Sequence, residues 1–251
     1  MILDAPIATG NTAEIYLHEG KLVKLFKAFL PDTAAEYEAN KQRYAYSCGL
    51  PVPYVFEVTK INGIQAIIME FVPGITIGSI ILDDMAKAKQ LMNLSVDVQL
   101  KIHAIDINAS GIELMTDKLH RQILSASTLN ERQKYSLIEK LYSMQYEKRL
   151  CHGDYHVHNL ILRGNTVTII DWVDSIAGDT IADAYRTYLL YSQYSMELSD
   201  LYLRLYCEKS GLSHESIFAW EPIIAGARLS ENINPAEANR LLEIVKKYYS
   251  L

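Results

Sequence analysis

The sequence predicts an α+β fold in two parts: a small antiparallel sheet carrying one helix, then a larger, mainly helical region. Three observations lead there. Short β-branched and aromatic runs bounded by turn residues dominate the chain up to residue 72. Beyond Pro73-Gly74, apolar residues recur at steps of three and four. One further pair of strand-like runs, Leu160–Leu162 and Thr166–Ile170, forms a hairpin around Arg163-Gly164-Asn165 among the helices. We place the first part at residues 1–72 and the second at residues 73–251.

In the first part Ile15-Tyr16-Leu17, Leu22 to Phe26, Val55 to Val58 and Ala66 to Met69 read as strands. Glu19-Gly20 and Asn62-Gly63 are their hairpin turns, since Asn and Gly tolerate the positive φ of a tight turn. Thr33 and Glu36 have capping-box spacing, the stretch to Cys48 favours helix, and Gly49 with Pro51 stops it. In the second part Leu91, Leu94, Val98, Ile102 and Ile105 make one apolar helix face. Thr128 and Glu131 repeat the capping-box spacing and open a helix toward Tyr146. Asn234-Pro235 with Glu237 supplies an N-cap, a helix-compatible proline and a capping carboxylate for the last helix.

The 251 residues are 49% apolar and 22% charged, enough for a sizeable core without disulfides. Asp plus Glu number 30 against 24 Lys plus Arg, and the net charge of −6 argues against nucleic acid as a partner. Cys48, Cys151 and Cys207 are scattered, with no CxxC pair, and suit a reducing compartment. Met1 to Asp4 shows no basic region followed by an apolar run, so no leader is expected. The uncharged stretch Phe71–Leu82 is broken by Pro73, Gly74 and Gly78 and is too short to span a bilayer. The expectation is a cytoplasmic protein without a membrane partner, monomeric or weakly dimeric.

The densest polar sequence is Cys151-His152-Gly153-Asp154-Tyr155-His156-Val157-His158-Asn159, followed after the hairpin by Asp171-Trp172. Asn159 and Asp171 offer hard oxygens suited to Mg²⁺, a cation that shares its shell with water and phosphates. Asp154 is then left to accept a proton from an attacking hydroxyl. That division of labour is the one phosphoryl transfer requires.

His152-Gly153-Asp154-x-His156-x-x-Asn159 with Ile170-Asp171-Trp172 resembles the signature of the aminoglycoside phosphotransferase and choline kinase-like family, relatives of the protein kinases. Further segments in the same order extend the resemblance over most of the chain. Gly10 to Tyr16 resembles the nucleotide-covering hairpin, Val23-Lys24-Leu25 the lysine strand, and Met69 to Gly74 the hinge. Leu100-x-x-His103-Ala104 is similar to the family's Leu-His helix, and Gly178-Asp179 with Asp183 to the segment after the metal aspartate. The resemblance implies a two-lobed protein-kinase-like fold that moves the γ-phosphate of ATP, with Mg²⁺, to a small-molecule alcohol. It implies Asp154 as the catalytic base, and Asn159 and Asp171 as metal ligands. Lys24 would touch the phosphates while paired to Glu38, with Asn11 and Thr12 in the covering hairpin, and Glu70 and Val72 would meet adenine through main chain. Two departures stand out: Val157-His158 replaces Pro-Gly before Asn159, and the covering loop has Gly10 as its one glycine.

Several readings compete. His152, Asp154, His156 and His158 have donor types that zinc accepts, which would make a metallohydrolase, but that leaves Lys24, the hinge and Asp171 unexplained. Alternatively, His152 and His156 brace the loop and His158 lies at the surface. Glu36 is the rival to Glu38 as the lysine's partner. Tyr185, Tyr188, Tyr191 and Tyr194 read as packing, or as a cation-attracting stripe. Residues 172–251 contain 11 acidic and 7 basic side chains, which suits a cationic, aminoglycoside-like substrate, with Asp174 as its contact. Choline, another amino-alcohol or a sugar is the alternative acceptor. Only a few residues separate Asp171 from Gly178, which argues against a protein substrate. A catalytically silent nucleotide-binding module is the remaining class.

Overall fold

The computed structural model describes residues 3–107 and 111–249, so the leader reading at Met1 and Ile2 lies outside the described residues. The strands are β1 (Ala8–Thr9), β2 (Ala13–His18), β3 (Lys21–Phe26), β4 (Val55–Ile61), β5 (Ile64–Glu70), β6 (Ile75–Thr76), β7 (Arg149–Cys151), β8 (Leu160–Arg163), β9 (Thr166–Ile169) and β10 (Ile176–Gly178). Helix α1 (Ala34–Ser47) interrupts the first strands, and α2 (Ile77–Asp83), α3 (Ala88–His103), α4 (Met115–Ser125) and α5 (Glu131–Ser143) precede β7. Then α6 (Thr180–Ser192), α7 (Met196–Ser210), α8 (His214–Phe218), α9 (Glu221–Arg228) and α10 (Pro235–Tyr248) complete the chain. Single 3-10 turns occupy Met85–Lys87 and Val157–Asn159.

Packing divides the chain into two compact units. One holds the described residues through Met85 together with Val157–Asp174; the other holds Ala86–His156 and the described residues from Ser175 onward. The division read from texture at residues 72 and 73 therefore differs from the grouping by packing. The β8–β9 hairpin goes with the first unit because β8 pairs with β6 and the Ile169 N–H donates to the Pro51 carbonyl at 2.8 Å.

In the first unit an antiparallel sheet runs in the order β1-β2-β3-β5-β4. Its turns are the expected ones: Glu19 and Gly20 have φ of +47° and +75°, and Asn62 and Gly63 have +51° and +84°. Alternation along β5 feeds both faces. Ile67 and Met69 pack with Phe26, Ala35, Ala39 and Val55, while Ala66 and Ile68 pack with Tyr16, Val23 and Ile61. The capping box expected at Thr33 and Glu36 is absent. The first-turn Ala35 N–H goes instead to Gln65 Oε1 on β5 at 2.9 Å, and Glu36 turns outward to Arg43 at 3.1 Å. Trp172 is fully buried, its Nε1 donating to the Ile169 carbonyl at 3.3 Å.

In the second unit α3 buries more than the predicted stripe, including Met92, Val96 and Gln99, and it ends before Ile105. Helix α5 opens two residues later than read. Asn130 caps it in a capping box with Gln133, because Asn130 sits directly before the helix, and Glu131 falls in its first turn; it ends at Ser143, short of Tyr146. Helix α10 begins as expected, Asn234 accepting from the Glu237 N–H at 2.9 Å. The tyrosine stripe on α6 is split: Tyr185 and Tyr191 are buried, Tyr188 packs on Phe218, and Tyr194 is exposed beyond the helix end. Trp220 is fully buried, donating to Asp179 Oδ2 at 2.9 Å. The described cysteines are free thiols, and among the described residues no helix is long and apolar enough to cross a membrane.

Candidate active site

In the first unit, Lys24 lies mid-way along β3, opposite Ile67 of β5. Its Nζ donates to Glu38 Oε1 of α1 at 2.5 Å and to Asp171 Oδ1 at 3.3 Å. Glu38, not Glu36, is therefore the lysine's partner. Burial alone would depress the Lys24 ammonium, but the two carboxylates outweigh it and hold its pKa above the usual lysine value. Burial also pushes the Glu38 carboxyl up, with Asp171 and Asp174 adding to the push, against the opposing pull of Lys24.

Asp171 follows β9 directly and has φ of +64°, a left-handed conformation that Asp tolerates better than most residues. Asn159 is buried, and its carbonyl accepts the Ile170 N–H at 3.0 Å, so Asn159 and Asp171 stand at the open end of one hairpin. Lys41, one turn after Glu38 on α1, donates to the Val173 carbonyl at 2.7 Å and steadies the segment behind Asp171. His158 is exposed, yet its ring fills the space beside Gly78 of α2, where a Cβ would come within 2.4 Å. Asn11 and Thr12 are exposed between β1 and β2. A cavity of about 640 Å³ runs beside the end of β5, lined by Val52, Glu70, Val72, Arg163 and Thr168 among others; Lys24, Glu38, Asn159 and Asp171 are not among its lining residues.

In the second unit, β7 delivers the loop that carries Asp154. Gly153 has φ of +79°, a turn that suits glycine. Its N–H donates to Asp183 Oδ1 of α6 at 2.8 Å, and its carbonyl accepts from Arg186 Nε of the same helix. Asp183 Oδ2 lies 2.9 Å from His103 Nε2 of α3, and Tyr206 of α7 meets the other ring nitrogen at 2.9 Å. Around the Asp154 carboxylate stand His156 Nε2 at 3.4 Å and Arg186 Nη2 at 3.8 Å. The Asp154 N–H points at His152 Nδ1 at 3.3 Å, and His152 is fully buried. Burial would raise the Asp154 carboxyl, but the hydrogen bond from His156 and the charge of Arg186 outweigh it, holding the group well below the usual carboxylate range.

The zinc set read from the sequence, His152, Asp154, His156 and His158, is not brought together as a metal-ligating cluster among the described residues. The donor atoms that crowd together there are those of His103, Cys151 and Asp183. Asp174 follows the Asp171 segment, and the structure gives it an influence on Glu38. Sequence reasoning assigned no role to Lys41 or Arg186, and saw Asp183 only as part of a motif. Arg186 carried one legible signal: it lies three residues after Asp183, hence on the same face of a helix.

The profile of the phosphotransferase enzyme family (APH) matches residues 5–223. No curated protein matches the chain. A thermostable mutant of aminoglycoside phosphotransferase APH(4)-Ia, in ternary complex with AMP-PNP and hygromycin B, is similar at 13% identity and a TM-score of 0.75, over 98% of this chain and 94% of that one. ADP-bound aminoglycoside phosphotransferase APH(2'')-Ib is similar at 17% identity and 0.65, over 98% and 95%. Amicoumacin kinase hAmiN, in complex with AMP-PNP, Ca²⁺ and Ami, is similar at 13% identity and 0.65, over 97% and 86%. At these identities the likeness is one of fold, the protein-kinase-like α+β architecture.

Proposed function

The chain belongs to the phosphotransferase enzyme family, and from that membership we propose that it moves the γ-phosphate of ATP to the hydroxyl of a small molecule. The observation that carries this reading is the Lys24 ammonium fixed between Glu38 at 2.5 Å and Asp171 at 3.3 Å. A lysine that is largely shielded, charged and held by two carboxylates is ready to meet phosphate oxygens. Asn159 and Asp171, at the open end of one hairpin, offer few, hard oxygens, a donor set that fits Mg²⁺. When bound, Mg²⁺ supplies neutralisation of phosphate charge. Asp154, ionised through the working pH range, orients the acceptor hydroxyl and takes its proton late, because so weak a base gains it only as the oxygen bonds to phosphorus. The main chain of Glu70 and Val72 reads adenine, and Asn11 and Thr12 cover the phosphates.

An aminoglycoside-like cation is the leading acceptor, supported by relatives solved with hygromycin B and streptomycin. A metabolic alcohol (choline, another amino-alcohol or a sugar) is the second reading, and one observation favours the sugar, the neutral one among them: Glu231 and Glu237 are already tied to Arg186, Arg228 and Arg240, and Glu221 to Lys247, which leaves less acidic surface for a cation. Calorimetric titration with ATP, with and without Mg²⁺, tests the core of the proposal in the wild type and in Asp171→Asn, a change the left-handed backbone accepts. We expect binding that tightens with Mg²⁺ in the wild type and loses that dependence in the variant. Absence of ATP binding would overturn the reading.

A further inference from the structure

We propose that Arg186 is a positioning residue for Asp154, and that Glu231, from the connection between α9 and α10, sets Arg186 in turn; the inference rests on the phosphotransfer reading above. Asp183 and Arg186 lie on one face of α6 and grip the peptide units on either side of Gly153, one at its N–H and the other at its carbonyl. The next residue is Asp154, so its backbone direction is fixed from α6 and not only by its own loop. The same guanidinium stands 3.8 Å from Asp154 Oδ1 and 2.7 Å from Glu231 Oε1. A planar fork can address a carbonyl and two carboxylates at once in a fixed geometry, which an ammonium cannot.

Glu231 is itself held. Its Oε2 accepts from Arg228 Nε at 3.3 Å, Arg228 Nη1 reaches Glu237 of α10 at 3.3 Å, and Arg240 Nε donates to Glu237 at 2.7 Å. Arg240 also bonds Ser192 and the Leu189 carbonyl at the end of α6, closing the path onto the helix where it began. His156 and His152 of its own loop also face the Asp154 carboxylate, and Arg186 ties it to the helical scaffold. Orientation of the acceptor hydroxyl depends on that carboxylate, and a misplacement of about 1 Å can cost roughly 100-fold in rate.

The test uses the full chain with Arg186→Gln, Arg186→Lys and Glu231→Gln. Turnover is read as ADP release from MgATP with water as acceptor, and the Asp154 carboxyl is titrated by carbon-13 NMR. Arg186→Gln should lower kcat on the order of 100-fold with KM for ATP within about twofold, and should move the Asp154 titration up by roughly one pH unit or more. Arg186→Lys should restore most of the titration but not kcat, since it keeps the charge and loses the fork. Glu231→Gln, a milder change, should lower kcat by about threefold to tenfold. Full rescue by lysine, or Arg186→Gln with kcat within about twofold of wild type and an unmoved titration, would overturn the proposal. A wild type that releases no ADP would count against the phosphotransfer reading, and the titration alone would then decide whether Arg186 governs Asp154.

Discussion

Asp183 shows how one carboxylate can hold a loop. It accepts the Gly153 N–H at 2.8 Å, faces His103 Nε2 at 2.9 Å and receives Gln99 Nε2 at 3.4 Å, fully inside the protein. Burial would push its carboxyl up; the His103 hydrogen bond and charge and the Gly153 N–H outweigh that and hold it below the ordinary value. A depressed carboxyl stabilises the fold above the unfolded-state pKa of about 3.9, and that contribution is lost as pH falls further. Asp183→Asn should therefore unfold more readily at neutral pH, by about 2–4 kcal/mol. Its stability should also fall less steeply than the wild type's below about pH 4, as urea melts across pH would show. A parallel acid limb in both proteins would refute the account. At this scale Lys24, Glu38 and Asp171 were legible because the segments that hold them resemble a known family's in order and spacing. Arg186 and Lys41 were not, because an arginine or lysine within a helix looks like any solvated charge until its facing carbonyl is known.

Between elements, the contact of α2 with the 3-10 turn at Val157–Asn159 governs how Asn159 is presented. Gly78 has no room for a side chain, since its Cβ would sit 2.4 Å from the His158 ring. Gly78→Ala should cost about 1–3 kcal/mol through overpacking, and His158→Ala in the same chain should recover most of that loss, a coupling that a double-mutant cycle in urea reads directly. Additive costs would sink the assignment. This contact also explains what stands in place of Pro-Gly before Asn159: the histidine ring fills space that Gly78 leaves. Helix stops and hairpin turns were legible at this scale, as at Gly49 and Asn62-Gly63, because they depend on a residue's own backbone freedom. Helix starts were less so. Thr33 lost its capping role to Gln65, a residue far along the chain that no local spacing could reveal, and Thr128 lost it to the better-placed Asn130.

Across the whole molecule, the sheet-then-helix order was legible from the change of period. The grouping of β8–β9 with the first unit was not, since it depends on pairing with β6, a strand too short to announce itself. The chain has two tryptophans, and burial places Trp172 in one unit and Trp220 in the other, both fully shielded from water. Each unit thus contains its own intrinsic fluorophore, and optical spectroscopy can follow the two separately in unlabelled protein. With Trp220→Phe, the surviving emission comes from the residue next to Asp171 and should change when MgATP is added; with Trp172→Phe it should not. Equal responses from both variants would mean that nucleotide is felt in both units alike, and two different melting midpoints would mean that the units come apart one after the other.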